Sequence, residues 1–123
     1  MTELRSALQS ALMLALKEHD RVAASAYRGA LSAIANAEAV PMEETQRAGA
    51  IESASVGVGA ADVARRALSA TEVAAIVAAE AADLERAAHT VSAIDPDRAR
   101  TLGRQAALLT AVLRDEPAPL TQP

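Results

Sequence analysis

Side chains that donate hydrogen bonds recur along one side of residues 21–38, and no acidic residue lies among them. At 100° per residue this segment reads as an amphipathic helix with an apolar side and a polar side. The polar side carries two guanidinium groups, two hydroxyls and an amide, from Arg21, Ser25, Arg28, Ser32 and Asn36. A face that donates hydrogen bonds and has no carboxylate suits oxyanions, phosphate or backbone carbonyls. It also suits water, so these residues indicate a candidate binding face and leave its ligand open.

Composition restricts the fold that can position this face. The chain has 123 residues, a hydrophobic fraction of 51% that is largely alanine, and a single aromatic residue, Tyr27. Residues that favour strands are sparse and never alternate over a useful run, so we expect an all-α fold. There is no cysteine, which excludes disulfides and agrees with a reducing compartment. No targeting segment or apolar run long enough to span a bilayer is visible, so the sequence predicts a cytoplasmic protein without membrane contact.

The pattern of apolar residues predicts two antiparallel helical hairpins that form a four-helix bundle-like domain over residues 1–114. The first hairpin covers 2–38, with Thr2 as the first N-cap and a tight corner at His19 and Asp20, where Asp20 can cap the second helix. The second covers 69–114. Between them, residues 39–68 contain Pro41 and three glycines, which indicates a loose connection. The proline-rich tail, 115–123, is expected to be disordered.

Helix start signals are clearest in the second hairpin. Ser69 and Glu72 have the spacing of a capping box, in which each side chain bonds the backbone of the other residue. Asp95 followed by Pro96 is typical of an N-cap with proline in the first helical position. These signals predict a third helix from residue 70 and a fourth from residue 96.

Glu80 falls on the apolar face of the third predicted helix, where an unpaired carboxylate would be costly. Two interpretations are open. The favoured one is a structural ion pair with an arginine across the helix interface, and the other is a functional acid with a raised pKa.

No arrangement of residues indicates catalysis or a cofactor. Glu85 and His89 are four residues apart, which favours a surface ion pair, and His19 lies alone in a turn. Two separate histidines without cysteine make a poor metal-ligand set. No nucleophile, base and orienting group occur together in the sequence, and no phosphate loop is present. We therefore predict a binding module rather than an enzyme, with no cofactor, no metal and no small-molecule substrate.

Two blocks of the sequence resemble the GatB/YqeY family. In the first, Arg28 stands at the family's arginine position and Tyr27 replaces its usual leucine. The ending Ser-Ala-Ile-x-Asn-Ala-Glu matches at 32–34 and 36–38. The second block resembles the alanine-rich branch of the family and is carried by Gly59, Val63, Arg65, Arg66, Leu68, Ser69, Glu72, Val73 and Glu80. The similarity covers most of residues 3–113.

The resemblance implies a helical domain that contacts tRNA away from any chemistry. Members of the family include the tail domain of the B subunit of glutamine-dependent aminoacyl-tRNA amidotransferases, and small stand-alone proteins. Carbon–nitrogen ligase activity would belong to the whole amidotransferase. The candidate tRNA-contacting residues are then the donors of residues 21–36 together with Arg65 and Arg66.

Charge separates this chain from the family's usual pattern. The net charge is −4, and residues 69–94, where members often carry a basic run, contain four acids and one base. A protein–protein adaptor or a homodimer is therefore the alternative, using the alanine-rich face of Ala74, Ala78, Ala81 and Ala82. An Arg21/Arg28 patch joined in space to Arg65/Arg66 would favour tRNA, whereas an uncharged alanine face would favour a protein.

Overall fold

The computed structural model describes residues 3–39 and 66–115, which form four α-helices and no strand. The helices are α1 Glu3–Lys17, α2 Arg21–Ala39, α3 Ala70–Val91 and α4 Pro96–Asp115. The all-α prediction is confirmed. The last helix ends at Asp115, next to the predicted end at Arg114 and within the usual fraying of helix ends.

Side chains at the predicted positions cap three of the helices. The Asp20 carboxylate accepts a hydrogen bond from the Ala23 amide at 3.1 Å at the start of α2. Ser69 and Glu72 form both bonds of a capping box, at 3.1 and 2.9 Å, at the start of α3. Asp95 accepts from the Arg98 amide at 3.0 Å, with Pro96 as the first residue of α4. Each cap satisfies amides that the first helical turn leaves without a partner.

Short corners pair the helices into two hairpins that pack as a four-helix bundle. Three residues join α1 to α2 and four join α3 to α4, so each pair must be antiparallel. An ion pair between Arg5 and Glu38 ties the beginning of α1 to the end of α2, as that direction requires. Each helix contacts the other three, which confirms the bundle-like arrangement.

The core is aliphatic and rich in alanine. Its largest fully buried side chains come from all four helices and are Leu4, Leu8, Ile34, Val73, Val77 and Leu109. Ala23, Ala26 and Ala30 supply the small surface over which α2 packs closely. Tyr27 is buried at 8% exposure, on the inward side of α2 as predicted.

The predicted alanine face of α3 is wrong as a single surface. Ala81 is buried at 6% exposure and Ala74 packs against the core, whereas Ala78 and Ala82 are exposed. At 100° per residue, positions 74 and 81 lie only about 20° apart and share the side of Val77. Alanine suits either environment, so its position in the sequence did not separate the two sides.

Thr2, the connection at 40–65 and the tail from residue 116 lie outside the described residues. The predictions made for them, including the glycine-containing connection and the place of Arg65, therefore stay predictions.

Candidate interaction groove

The outer side of α2 carries the predicted donors in one exposed row. Arg21, Ser25, Arg28, Ser32 and Asn36 are all exposed, while Ala23, Tyr27, Ala30 and Ile34 on the other side are buried. Among the described residues, neither the Arg21 nor the Arg28 side chain makes a hydrogen bond or an ion pair. Seven residues separate these arginines, which places them two turns apart, about 10 Å along the helix axis.

A left-handed residue shapes the corner before this row. The Asp20 amide donates to the Ala15 carbonyl at 2.9 Å and the His19 amide donates to the Leu16 carbonyl at 3.1 Å. This pair of bonds is a Schellman motif, and His19 holds the left-handed conformation (φ 58°) that glycine usually fills there. The tight reversal brings the last turn of α1 beside the first two turns of α2.

A groove of about 440 Å³ opens on the outer side of this corner. Its apolar floor comes from Ala15, Leu16 and Ala24, and its polar rim from His19, Asp20, Arg21 and Arg28. Leu16 is 43% exposed, and Met13, one turn earlier on the same flank of α1, is 66% exposed. The groove thus places uncovered aliphatic surface beside two arginines, within the volume range of ordinary ligand sites.

Asp20 is the only carboxylate in the groove's rim. It already accepts hydrogen bonds on the inner side of the corner, which is the side that faces α4. Arg104 of α4 donates to its two oxygens at 3.1 and 2.6 Å, in addition to the Ala23 amide. These bonds lower the pKa of Asp20 from 3.8 to about 2, with the Arg104 bond as the largest cause. Because this anion is compensated by Arg104, no free carboxylate among the residues that line the groove offsets the positive charge of Arg21 and Arg28.

The inner side of the corner is held by a second polar contact with α4. The Gln105 side chain, 8% exposed, donates through Nε2 to the Val22 carbonyl at 3.0 Å. A smaller cavity of about 210 Å³ lies between Leu14, Tyr27, Arg104 and Leu108. Burial raises the pKa of the Tyr27 hydroxyl in this region. On this side, Asp20, Arg104 and Gln105 all form hydrogen bonds within the bundle.

Arg66, another candidate for tRNA contact, is not joined to this groove. Arg66 bonds Glu72 at 2.7 Å, and its amide donates to the Glu38 carbonyl, near the opposite end of α2 from Arg21. Arg100 pairs with Asp97 on the same helix. Glu38 follows Arg21 by 17 positions, which corresponds to about 25 Å along the helix axis. Arg66 therefore does not extend the Arg21/Arg28 patch.

Glu80 lies across the α2–α3 interface without the predicted ion pair in the described part of the chain. Its Oε2 is 3.4 Å from the position that a Cβ on Gly29 would occupy, so the two helices approach closely there. Burial, and then the charge of Asp83, raise the pKa of Glu80. Half-buried and without a base beside it, Glu80 behaves as a carboxylate that the packing tolerates at some cost.

Within residues 3–39 and 66–115, no three histidine or carboxylate side chains are grouped so that they could hold a metal ion. No helix in these ranges combines the length and apolar character needed to cross a membrane.

Sequence reasoning missed the groove floor, the Asp20–Arg104 pair and the buried Gln105. The partners in the two polar contacts are 84 and 83 residues apart, so no local pattern connects them. Leu16 gave a weak signal, because it stands outside the apolar stripe of Leu4, Leu8 and Leu12.

Comparison of the chain with protein-family models, with curated proteins and with solved structures finds no match.

Proposed function

We propose that this chain is a non-enzymatic, cytoplasmic binding module that engages another protein through the α1–α2 groove. The observation that carries the proposal is the groove's combination of exposed Leu16 with Arg21 and Arg28, with exposed Met13 one turn away on α1. Methionine and arginine are enriched at protein interfaces, and arginine is among the residue types that contribute most to binding energy there. Neither Leu16 nor Met13 belongs to the buried core formed by the described residues.

RNA is the second candidate, favoured by the acid-free outer row of α2 and by the resemblance to the tRNA-contacting GatB/YqeY family. Two features limit it. Two arginines neutralise about two phosphates, whereas strong salt-dependent binding needs roughly six or more such contacts. The single aromatic residue, Tyr27, is buried and cannot stack on a base.

Photocrosslinking tests which class of partner occupies the groove. A photoreactive amino acid is placed at Leu16, and at the exposed Ala78 of α3 as the matched control. Both proteins are irradiated in a lysate of the cells that encode the chain. We expect protease-sensitive adducts from position 16 and few from position 78. Equal yields at the two positions would contradict the groove, and ribonuclease-sensitive adducts would replace the protein partner with RNA.

A salt series with bulk tRNA tests the second candidate directly. If the α2 row binds RNA, affinity falls steeply with salt and drops in Arg28→Ala. We expect no binding that depends on Arg28, and such binding would overturn the preference for a protein.

A further inference from the structure

We propose that the partner segment is an acidic amphipathic helix, with carboxylates about two turns apart and an apolar stripe between them. This inference rests on the proposed protein-binding function and specifies its partner. It is carried by the charge and spacing of the groove.

The rim of the groove carries positive charge that no neighbouring rim carboxylate compensates. Asp20 accepts three hydrogen bonds from Arg104 and Ala23, so it does not offset Arg21 and Arg28 toward an incoming partner. The whole chain carries a net charge of −4, which makes this patch opposite in sign to the rest of the protein. A partner with carboxylates is attracted to the groove, and a basic partner is repelled from it.

The spacing of the two arginines selects the spacing of the acids. They lie about 10 Å apart along α2, and a partner helix packed along the α1–α2 groove has the same rise per residue. Carboxylates seven residues apart on one face of that helix therefore meet both guanidinium groups, each able to bond in the bidentate way that arginine favours.

The apolar floor supplies the remaining complementarity. Leu16 and the buried Ala24 line the groove together with the two arginines, and exposed Met13 lies one turn from Leu16 on α1. An apolar stripe at i, i+3 and i+4 on the partner covers these side chains, which is the usual way a helix fills a groove.

A second copy of this chain fits the groove less well. A two-fold pairing places the same patch on both partners, so Arg21 and Arg28 would face their own copies. Self-association through this surface is therefore an outcome that the test must distinguish.

Selection from a phage-displayed library of amphipathic helices tests the partner's chemistry. The library is randomised on its polar face and selected on the wild-type protein, on Arg21→Glu/Arg28→Glu, and on Arg98→Glu/Arg114→Glu. The last variant changes the net charge equally, at exposed positions of α4 away from the groove. Circular dichroism and thermal melting verify that each variant is folded.

We expect acidic helices with carboxylates seven residues apart from the wild type and the α4 variant, and basic helices from the groove variant. A selected acidic peptide, measured by fluorescence anisotropy, should bind the groove variant at least about tenfold more weakly. Enrichment without acids, the same consensus from all three proteins, or no enrichment would overturn the inference. A dimer that dissociates in the groove variant would also overturn it, in favour of a second copy.

The two tests fail separately. Protein adducts at position 16 together with non-acidic selected helices would keep the proposed function and reject the acidic helix. Loss of the adducts would reject the function itself.

Discussion

The inner and outer sides of the α1–α2 corner treat polar groups differently. On the inner side, Asp20 and Gln105 are bonded to α4 and to the backbone of α2. On the outer side, Arg21 and Arg28 have no partner among the described residues, and Leu16 is left partly in water. One side of α2 therefore packs into the bundle, and its other side carries side chains that bond no other described residue. The difference separates residues that stabilise the fold from residues available for binding.

The largest expected difference between the two sides is in packing. Ile34→Ala removes a fully buried side chain of α2 and should lower the free energy of unfolding by about 3 kcal/mol, since a cavity replaces it. Leu16→Ala on the outer side should change it by less than about 1 kcal/mol. Urea denaturation measures both values. Equal losses would show that the outer side also supports the fold.

The polar contact of the inner side has a smaller expected effect. Gln105→Ala removes the bond to the Val22 carbonyl and part of the packing against α2, at a cost of about 1–2 kcal/mol. The control is Gln9→Ala, at an exposed position of α1, which should be close to neutral. Thermal melts of the two variants test the contrast, which disappears if both melt together.

His19→Gly tests the conformation of the corner. Glycine adopts the left-handed region without strain, so the variant should be more stable by about 0.5–1 kcal/mol after its greater unfolded-state entropy is counted. Ser92→Gly is the control, because Ser92 is right-handed (φ −60°) and has no such strain to relieve. A loss of stability in His19→Gly would mean that the imidazole makes a stabilising contact.

Asp20→Asn tests the ion pair through its pH dependence. Asparagine keeps the helix cap and removes the charge that faces Arg104. Because the pKa of Asp20 in the folded protein is lowered to about 2, its charged form stabilises the fold above 3.8 and this contribution is lost as the pH falls toward 2. The wild type should therefore melt above the variant at neutral pH, and the two melting temperatures should converge in acid. A difference independent of pH would contradict the assignment.

Glu80→Gln at the α2–α3 interface should change stability at neutral pH in the direction opposite to Asp20→Asn. Its effect should be the smallest of the series. Burial raises the pKa of Glu80, so its protonated form favours the fold at low pH and this advantage is lost as the pH rises through the raised pKa. The variant should be slightly more stable than the wild type at neutral pH and equal to it in acid. Glu85→Gln, exposed on the same helix, is the control and should be near neutral. A less stable Glu80→Gln protein would indicate an undetected partner for the carboxylate.

Features set by neighbouring residues were predictable from the sequence. The capping box at Ser69 and the cap at Asp95 each depend on bonds over three residues, and both formed as expected. The exposed row from Arg21 to Asn36 followed from helical periodicity alone. Contacts between distant residues were not predictable in this way. Whether Arg104 reaches Asp20, and whether Ala81 faces the core or water, depends on how the hairpins pack.

Only part of the candidate site could be predicted from the sequence, for the same reason. Arg21 and Arg28 were identified by type and spacing, but the floor at Leu16 exists only because the corner folds α1 back beside α2. The sequence left open whether Arg66 joins this patch, and it does not, because Arg66 lies beside the far end of α2 and bonds Glu72.

Amide chemical-shift mapping by NMR tests the central claim most directly. The ¹⁵N-labelled protein is titrated with the acidic helix selected on the wild type. We predict that the largest shifts fall at Leu16, His19, Arg21, Ala24 and Arg28, while Gln105 and Ala78 change little. Largest shifts on α3 or on the inner side of the corner would contradict the assignment of the outer side as the binding surface.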